Sequence, residues 1–315
     1  MKRMPQPIPY QGSKRNIAWQ ILSAFPKEVD TLIEPFAGSA AISVATAHYK
    51  KAKRFYINDL NKPLMDLLEI IINDPYEIAD GYERLWNAQL GQERAYYDFI
   101  RAEFNKTHRS DHFLYLLARC VKASVRYNAD GEFNQSPDNR RKGRRPPSMR
   151  QEIFGVSRLL RDKTIITSGD YKEALSVISE SDLVYMDPPY QGTSQNKDPR
   201  YYSGLDLDDL IDFLMELNKR QILFILSYDG RTGEKTYGVE LPSGLNLHKL
   251  EIHAGRSSQS TLLGKNVETY ESLYLSPALT QRLRVKHNGN VRVRLYQYRR
   301  FGKNLWLQPS PQGSP

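Results

Sequence analysis

The 315 residues include a single cysteine, Cys120, so no disulfide can form within the chain and a disulfide scaffold is excluded. The six histidines are scattered and there are no paired cysteines, which leaves no zinc-ligand spacing and no metal expected. No apolar run approaches the roughly 20 residues that a membrane span needs. The start, Met1-Lys2-Arg3-Met4-Pro5, leads into polar residues rather than into a signal-peptide core. The sequence therefore reads as soluble and cytoplasmic, with no membrane among its partners. Internal repeats are lacking, and low complexity is confined to residues 308–315, which are expected to fray. Acidic residues are missing altogether from residues 281–315.

What is present is globular: 40% hydrophobic and 26% charged residues rule out disorder as the main state. The length suits one large domain with an insertion, or two domains. The net charge of +9 makes polyanions the first partners to consider. Of it, +8 falls in residues 281–315, on Arg282, Arg284, Lys286, Arg292, Arg294, Arg299, Arg300 and Lys303. A second basic knot, Arg140, Arg141, Lys142, Arg144, Arg145 and Arg150, has only Asp138 and Glu152 beside it. By composition alone each cluster is equally a solvated face or a nucleic-acid contact.

Short apolar runs at 31–36, 54–59, 164–167, 183–187 and 221–226 read as buried strands, and 40–49 as a helix entered from a Gly-Ser turn. Strands alternating with helices predict a doubly wound α/β sheet. The interval between the second and third strands is too long for a crossover. Its helical patterns at 93–105 and 113–125, followed by a polar stretch at 127–147, predict a mostly helical insertion ending in a long loop. Alternation at 247–253 and 267–275 predicts two paired strands forming an antiparallel edge. The expected division is a catalytic domain at 1–73 and 156–280, an insertion at 74–155 and a basic extension at 281–315, where residues 291–296 alternate like a strand.

Three stretches carry chemistry. In Glu34-Pro35-Phe36-Ala37-Gly38-Ser39-Ala40-Ala41 a strand turns into a helix through small residues, which lets a ligand approach backbone amides. About twenty residues on, Asn58-Asp59 closes the next strand, where an acid can accept two ribose hydroxyls. Asp187-Pro188-Pro189-Tyr190 follows the strand at 183–186. Its prolines have no amide donors, which leaves the Asp187 carboxylate and the Pro188 carbonyl as acceptors beside an aromatic ring. That combination suits an exocyclic amino group on a flat heterocycle, such as adenine N6.

With these residues in view, the sequence resembles the adenine-specific DNA methyltransferases of the Dam-like (D12) class, which use S-adenosylmethionine. The resemblance runs over nearly all of residues 7–275. Pro9-Tyr10-Gln11-Gly12-Ser13-Lys14 is similar to the family's N-terminal motif, residues 34–41 to its cofactor loop, and Asn58-Asp59-Leu60-Asn61 to its ribose-binding turn. Gly169-Asp170-Tyr171 is similar to the site where an aspartate reaches the cofactor adenine, and residues 187–190 to the catalytic motif. Leu226-Ser227-Tyr228-Asp229 and the segments 256–258 and 270–273 are similar to later family segments.

The resemblance implies a Rossmann-like methyltransferase fold, with a mostly parallel sheet and an antiparallel edge, and methyl transfer to N6 of a flipped-out adenine. It implies S-adenosylmethionine bound by Tyr10, Lys14, Glu34, Phe36, Ala37, Gly38, Ser39, Asp59, Asp170 and Tyr171, and catalysis by Asp187, Pro188, Pro189 and Tyr190. Residues 126–134 are similar to the family's target-recognition hairpin. Arg126, Asn128, Asn134, Arg140, Arg141, Lys142 and Arg144 thereby become candidate contacts to double-stranded DNA. A bacterial or phage setting follows, and a cognate restriction endonuclease is open as a partner. Two positions depart from the family pattern: Ala40 and Ser13 stand where many relatives have glycine. The competing readings are a methyltransferase acting on an RNA base or a protein amide, and a non-catalytic DNA-binding protein. The last of these has no need of Asp59, Asp170 and Asp187 in ligand-facing turns.

Overall fold

The computed structural model describes residues 3–189, 205–232, 235–237, 239–256, 268–287 and 290–293. Its centre is a twisted sheet in the order β3 (Thr164–Thr167), β2 (Ala52–Asn58), β1 (Val29–Glu34), β4 (Leu183–Met186), β5 (Leu223–Thr232), β8 (Glu268–Leu275), β7 (His248–Arg256). The short β6 (Lys235–Tyr237) pairs with β5 off this path. Pairing is parallel from β3 to β5 and antiparallel where β8 meets β5 and β7, so the edge expected from alternation is present.

The apolar runs are continuous because both faces of the central strands are covered. Leu32, Leu183, Tyr185, Leu223 and Ile225 enter one core, while Ile33, Val184, Met186, Phe224 and Leu226 enter the other. The second core is closed by α8 (Leu207–Lys219), which buries Leu210, Phe213, Leu214 and Leu217 at helical spacing and is capped by the Asp206 carboxylate. The first is closed by α1 (Ala18–Ser23), α2 (Ala41–His48), α3 (Lys62–Asn73) and α7 (Pro146–Leu160).

The insertion is helical, with α4 (Pro75–Ala88), α5 (Glu93–Thr107) and α6 (Ser110–Arg119). Its expected end at 155 falls inside α7, whose buried Met149, Ile153, Val156 and Leu160 belong to the same core as α3 and α4. Sheet and insertion therefore share one hydrophobic core. The helix expected at 113–125 stops at Arg119, where Cys120 turns extended (φ −71°, ψ 156°) and bridges to Pro137. Beyond β8, α9 (Pro277–Leu283) packs back with Leu279 and Leu283 buried. β9 (Arg284–His287) and β10 (Asn290–Val293) then form a separate two-stranded ribbon. The expected strand at 291–296 is seen as far as Val293, and the rest of the basic extension lies outside the described residues.

Candidate active site

At the carboxyl ends of the parallel strands, β1 has β2 on one side and β4 on the other, the switch point at which such sheets open a crevice. A cavity of about 520 Å³ lies there. All the cofactor-side residues expected from sequence line it, from Tyr10 to Tyr171, together with Asp187, Pro188 and Pro189. Tyr190 lies outside the described residues. Leu205, Asp206 and Asp209, at the start of α8, complete the wall and carried no sequence signal.

One buried side chain ties the strand ends together. The Asn58 amide donates to the carbonyls of Pro35 (3.1 Å) and Gly169 (3.0 Å) and accepts the Thr167 hydroxyl (2.9 Å), which registers the three cavity loops against one another. Asp59 accepts the backbone N–H of Gly38 (2.8 Å) and of Asn61 (3.0 Å), so it braces the small-residue loop from the next strand. Burial nevertheless holds its carboxyl above the usual range.

The loop needs its glycine at position 38. The backbone there has φ +51°, and a Cβ would meet the Tyr10 ring at 3.0 Å. Ala40 also adopts a left-handed conformation (φ 52°) but is fully buried in the core and is not among the lining residues, so its methyl does not crowd the cavity. Ser13 has φ −54°, a conformation open to any residue, so no glycine is required there.

Phe36 and Tyr171 face each other across 4.8 Å at 30°, with Phe213 edge-on to Tyr171 at 5.1 Å. Among the described residues, nothing hydrogen-bonds the buried Tyr171 hydroxyl. Asp170 sits at the exposed rim and caps the turn through the Lys172 N–H (2.8 Å). Deeper in, Glu34 is 2% exposed and accepts the Ser43 N–H at 2.7 Å, and burial pushes its carboxyl up to about 8. Asp187 is likewise pushed up to about 6 by burial, against the opposing pull of Lys14. The Lys14 ammonium stands 3.1 Å from Asp187 and 2.9 Å from Glu271.

The expected DNA-side residues occupy the insertion. A tight hairpin closes on the Tyr127–Phe133 bridge, and its turn is braced by Asn128, whose Oδ1 accepts the N–H groups of Asp130 and Glu132. Arg126 and Asn134 are exposed on it. The following loop is held by side chains of α4, its C-cap residue and α5: Tyr82 donates to the Arg144 carbonyl, Gln89 to that of Lys142 and Tyr97 to that of Gln135. Arg140 and Arg141 project outward with Asp138 as neighbour. Lys142 pairs with Glu93 (2.6 Å), and Arg144 is only 24% exposed because it reaches the Gln6 carbonyl and Glu152. The hairpin approaches the cavity through Tyr127, whose hydroxyl donates to Asn61 at 3.1 Å.

The sheet order and the crevice at its switch point define a doubly wound, Rossmann-like α/β fold. The chain belongs to the D12 class of N6 adenine-specific DNA methyltransferases, whose family model matches residues 10–253. It is 25% identical to the type II methyltransferase M1.LlaDCHI of Lactococcus lactis subsp. cremoris over 84% of this chain and 94% of that one. It is 24% identical to the type II methyltransferase M.FokI of Planomicrobium okeanokoites over 85% of this chain, though it spans only 42% of that relative. The retron Ec67 DNA adenine methylase of Escherichia coli is 31% identical over 59% of this chain and 64% of its own. A solved rRNA methyltransferase, AviRa from Streptomyces viridochromogenes, covers 85% of each chain at 13% identity and a TM-score of 0.38, a likeness too loose to bear on function.

Proposed function

We propose that the protein moves the methyl group of S-adenosylmethionine to N6 of an adenine turned out of duplex DNA. The observation that carries this reading is the Asp187-Pro188-Pro189 turn standing in the same cavity wall as the Phe36–Tyr171 pair and Asp59. The donor set fits the cofactor. The volume is within the roughly 300–1,000 Å³ of small-molecule sites. The two rings and the Tyr171 hydroxyl, unpartnered among the described residues, suit a purine, and Asp59 suits a ribose diol. When bound there, S-adenosylmethionine supplies an electrophilic methyl group.

The chain's own task is to orient a poor nucleophile, because the N6 lone pair is delocalised into the purine. Asp187 and the Pro188 carbonyl each accept one N6 N–H, which turns the lone pair out of conjugation and toward the methyl donor. A carboxylate with a pKa of about 6 is also able to take the proton that N6 sheds once alkylated. Turning the base out costs a few kcal/mol. Stacking on Tyr190 is assigned to return about 1–3 kcal/mol of that, with phosphate contacts from Arg126, Arg140 and Arg141 supplying the remainder. The type II names of two relatives support a restriction-modification setting, in which a cognate restriction endonuclease is the partner.

The test is incubation with methyl-labelled S-adenosylmethionine and duplex DNA, followed by digestion to nucleosides. Label in N6-methyldeoxyadenosine is the expected result. Label that enters only RNA or protein overturns the DNA substrate, and DNA binding without transfer overturns the activity.

A further inference from the structure

Lys14 lies in the 3-10 turn Lys14–Ile17, is 7% exposed, and sits between two carboxylates rather than one. Asp187 has a role in the reaction proposed above; Glu271 has none so far. Glu271 lies on β8, opposite Gly230 of β5, where the β5–β8 register shifts between Ser227 and Gly230. Such a bulge re-aims side chains next to a site, and here the strands are pressed together: a Cβ on Gly230 would fall 2.5 Å from the Tyr270 carbonyl. The outcome is a Glu271 carboxylate 2.9 Å from the Lys14 ammonium and 3.5 Å from the Ser227 hydroxyl, with its side chain 20% exposed.

We infer that Glu271 is a positioning residue for methyl transfer: it shares the Lys14 ammonium with Asp187 and keeps the acceptor site net negative. The argument rests on the reading of Asp187 as the N6 acceptor. Lys14 meets Asp187 at one oxygen, Oδ1, and Glu271 takes up part of its charge, which leaves acceptor capacity on Asp187 for the amino group. The charge sum gives the second reason. Asp187, Glu271 and Lys14 add to −1, and Glu34 is protonated at neutral pH because burial pushes it up to about 8. The N6 nitrogen becomes positive as it is alkylated, so a site of −1 favours the transition state over one of zero. Among the described residues, the titratable groups facing Asp187 are Lys14, Glu271 on β8, Glu34 on β1 and Tyr185 on β4, whose phenol burial holds well above its usual range and therefore neutral.

The experiment measures single-turnover methylation of duplex DNA against pH for Glu271→Gln and Lys14→Met. In the wild type the acid limb is expected near pH 6, where Asp187 takes up a proton. Glu271 raises the Asp187 pKa and Lys14 lowers it. Glu271→Gln is therefore expected to cut the plateau rate by a factor on the order of ten or more and to move the acid limb to lower pH, with S-adenosylmethionine affinity by calorimetry unchanged. Lys14→Met moves the limb to higher pH. A purely structural role would lower both rates without opposite shifts. Unmoved limbs, or limbs that move together, overturn the assignment. If Glu271→Gln does not fold, Lys14→Met alone decides, since an unmoved limb there removes the coupling. A wild type that makes no N6-methyladenine overturns the underlying reading instead.

Discussion

The cavity wall and the face of the insertion both concentrate charge, and they hold it in opposite ways. In the cavity, Glu34 is buried and Asp59 and Asp187 half-buried, all fixed by backbone N–H groups or by Lys14, and desolvation pushes all three carboxyl groups upward. On the insertion, the side chains of Arg140 and Arg141 are 87% and 77% exposed and lean on a single aspartate. Charge in the first place is costly to desolvate and so has one geometry. Charge in the second is cheap, screened and adjustable. The first arrangement suits chemistry at one atom and the second suits a polymer of phosphates. Substitutions should therefore act steeply and with pH in the cavity, but shallowly and with salt on the insertion.

The steepest break is Asp187→Ala. It removes an acceptor needed in the transition state, so methyl transfer should fall by about 100-fold or more while S-adenosylmethionine still binds. Single-turnover rates and calorimetry check the two halves, and near-normal turnover would remove Asp187 from the site. Next comes Asp59→Ala, which loses both the proposed ribose contact and the brace on Gly38. A loss of about 1–3 kcal/mol in S-adenosylmethionine affinity is expected, with a smaller loss for Asp170→Ala at the exposed rim. Equal losses at the two positions would mean that bracing the loop counts for nothing.

Glu34→Gln sharpens the pH side of the comparison. In the folded protein the Glu34 carboxyl keeps its proton up to about 8, against an ordinary value of 4.5 in the unfolded chain. Between these values the unfolded chain releases the proton and the folded one does not. Raising the pH through this window thus favours unfolding, by at most about 1.4 kcal/mol per pH unit. The variant lacks that slope, so its melting temperature should gain on the wild type from pH 5 to pH 8. Parallel melting curves would show that Glu34 is ionised in the fold.

Much of the cavity was legible because its parts are local. A strand buried on both faces leaves a continuous apolar run, and a strand that ends at a ligand leaves Gly38, Asp59 or Asp187 directly after it. What failed to show depends on partners distant in sequence. Residues 120–125 continue an apolar rhythm that looks helical, but Cys120 is extended because it bridges to Pro137. The boundary placed at 155 cut α7, whose stripe of Met149, Ile153, Val156 and Leu160 reveals a helix without revealing that it packs on both α3 and α4. Glu271 lay in a segment with a family resemblance, yet its link to Lys14 arises from a register shift between two strands, which no local pattern encodes. Arg144 and Arg140 look alike in sequence, and only the chain folding over Gln6 and Glu152 separates a structural arginine from an exposed one.

The shallowest effects should separate the two basic regions. Neutralising Arg126, Arg140 and Arg141 should weaken binding to cognate and random duplex alike and flatten the dependence of log Kd on log salt by about 0.9 for each phosphate left without its cation. Lys142 and Arg144, held by Glu93, Gln6 and Glu152, should contribute less. The extension differs because +8 lies in residues 281–315, beyond the family match. Its removal has to spare α9, since Leu283 is buried, so the cut belongs after Leu283 rather than after Gln281. Such a protein should melt as the full chain does, bind random DNA more weakly and keep its turnover and its recognised word, because the cavity and the proposed recognition hairpin both lie upstream. Sequencing of methylated sites in an expressing host checks the last point. A protein that melts normally but marks a different word would place sequence reading in the extension and erase the division of labour between the two regions.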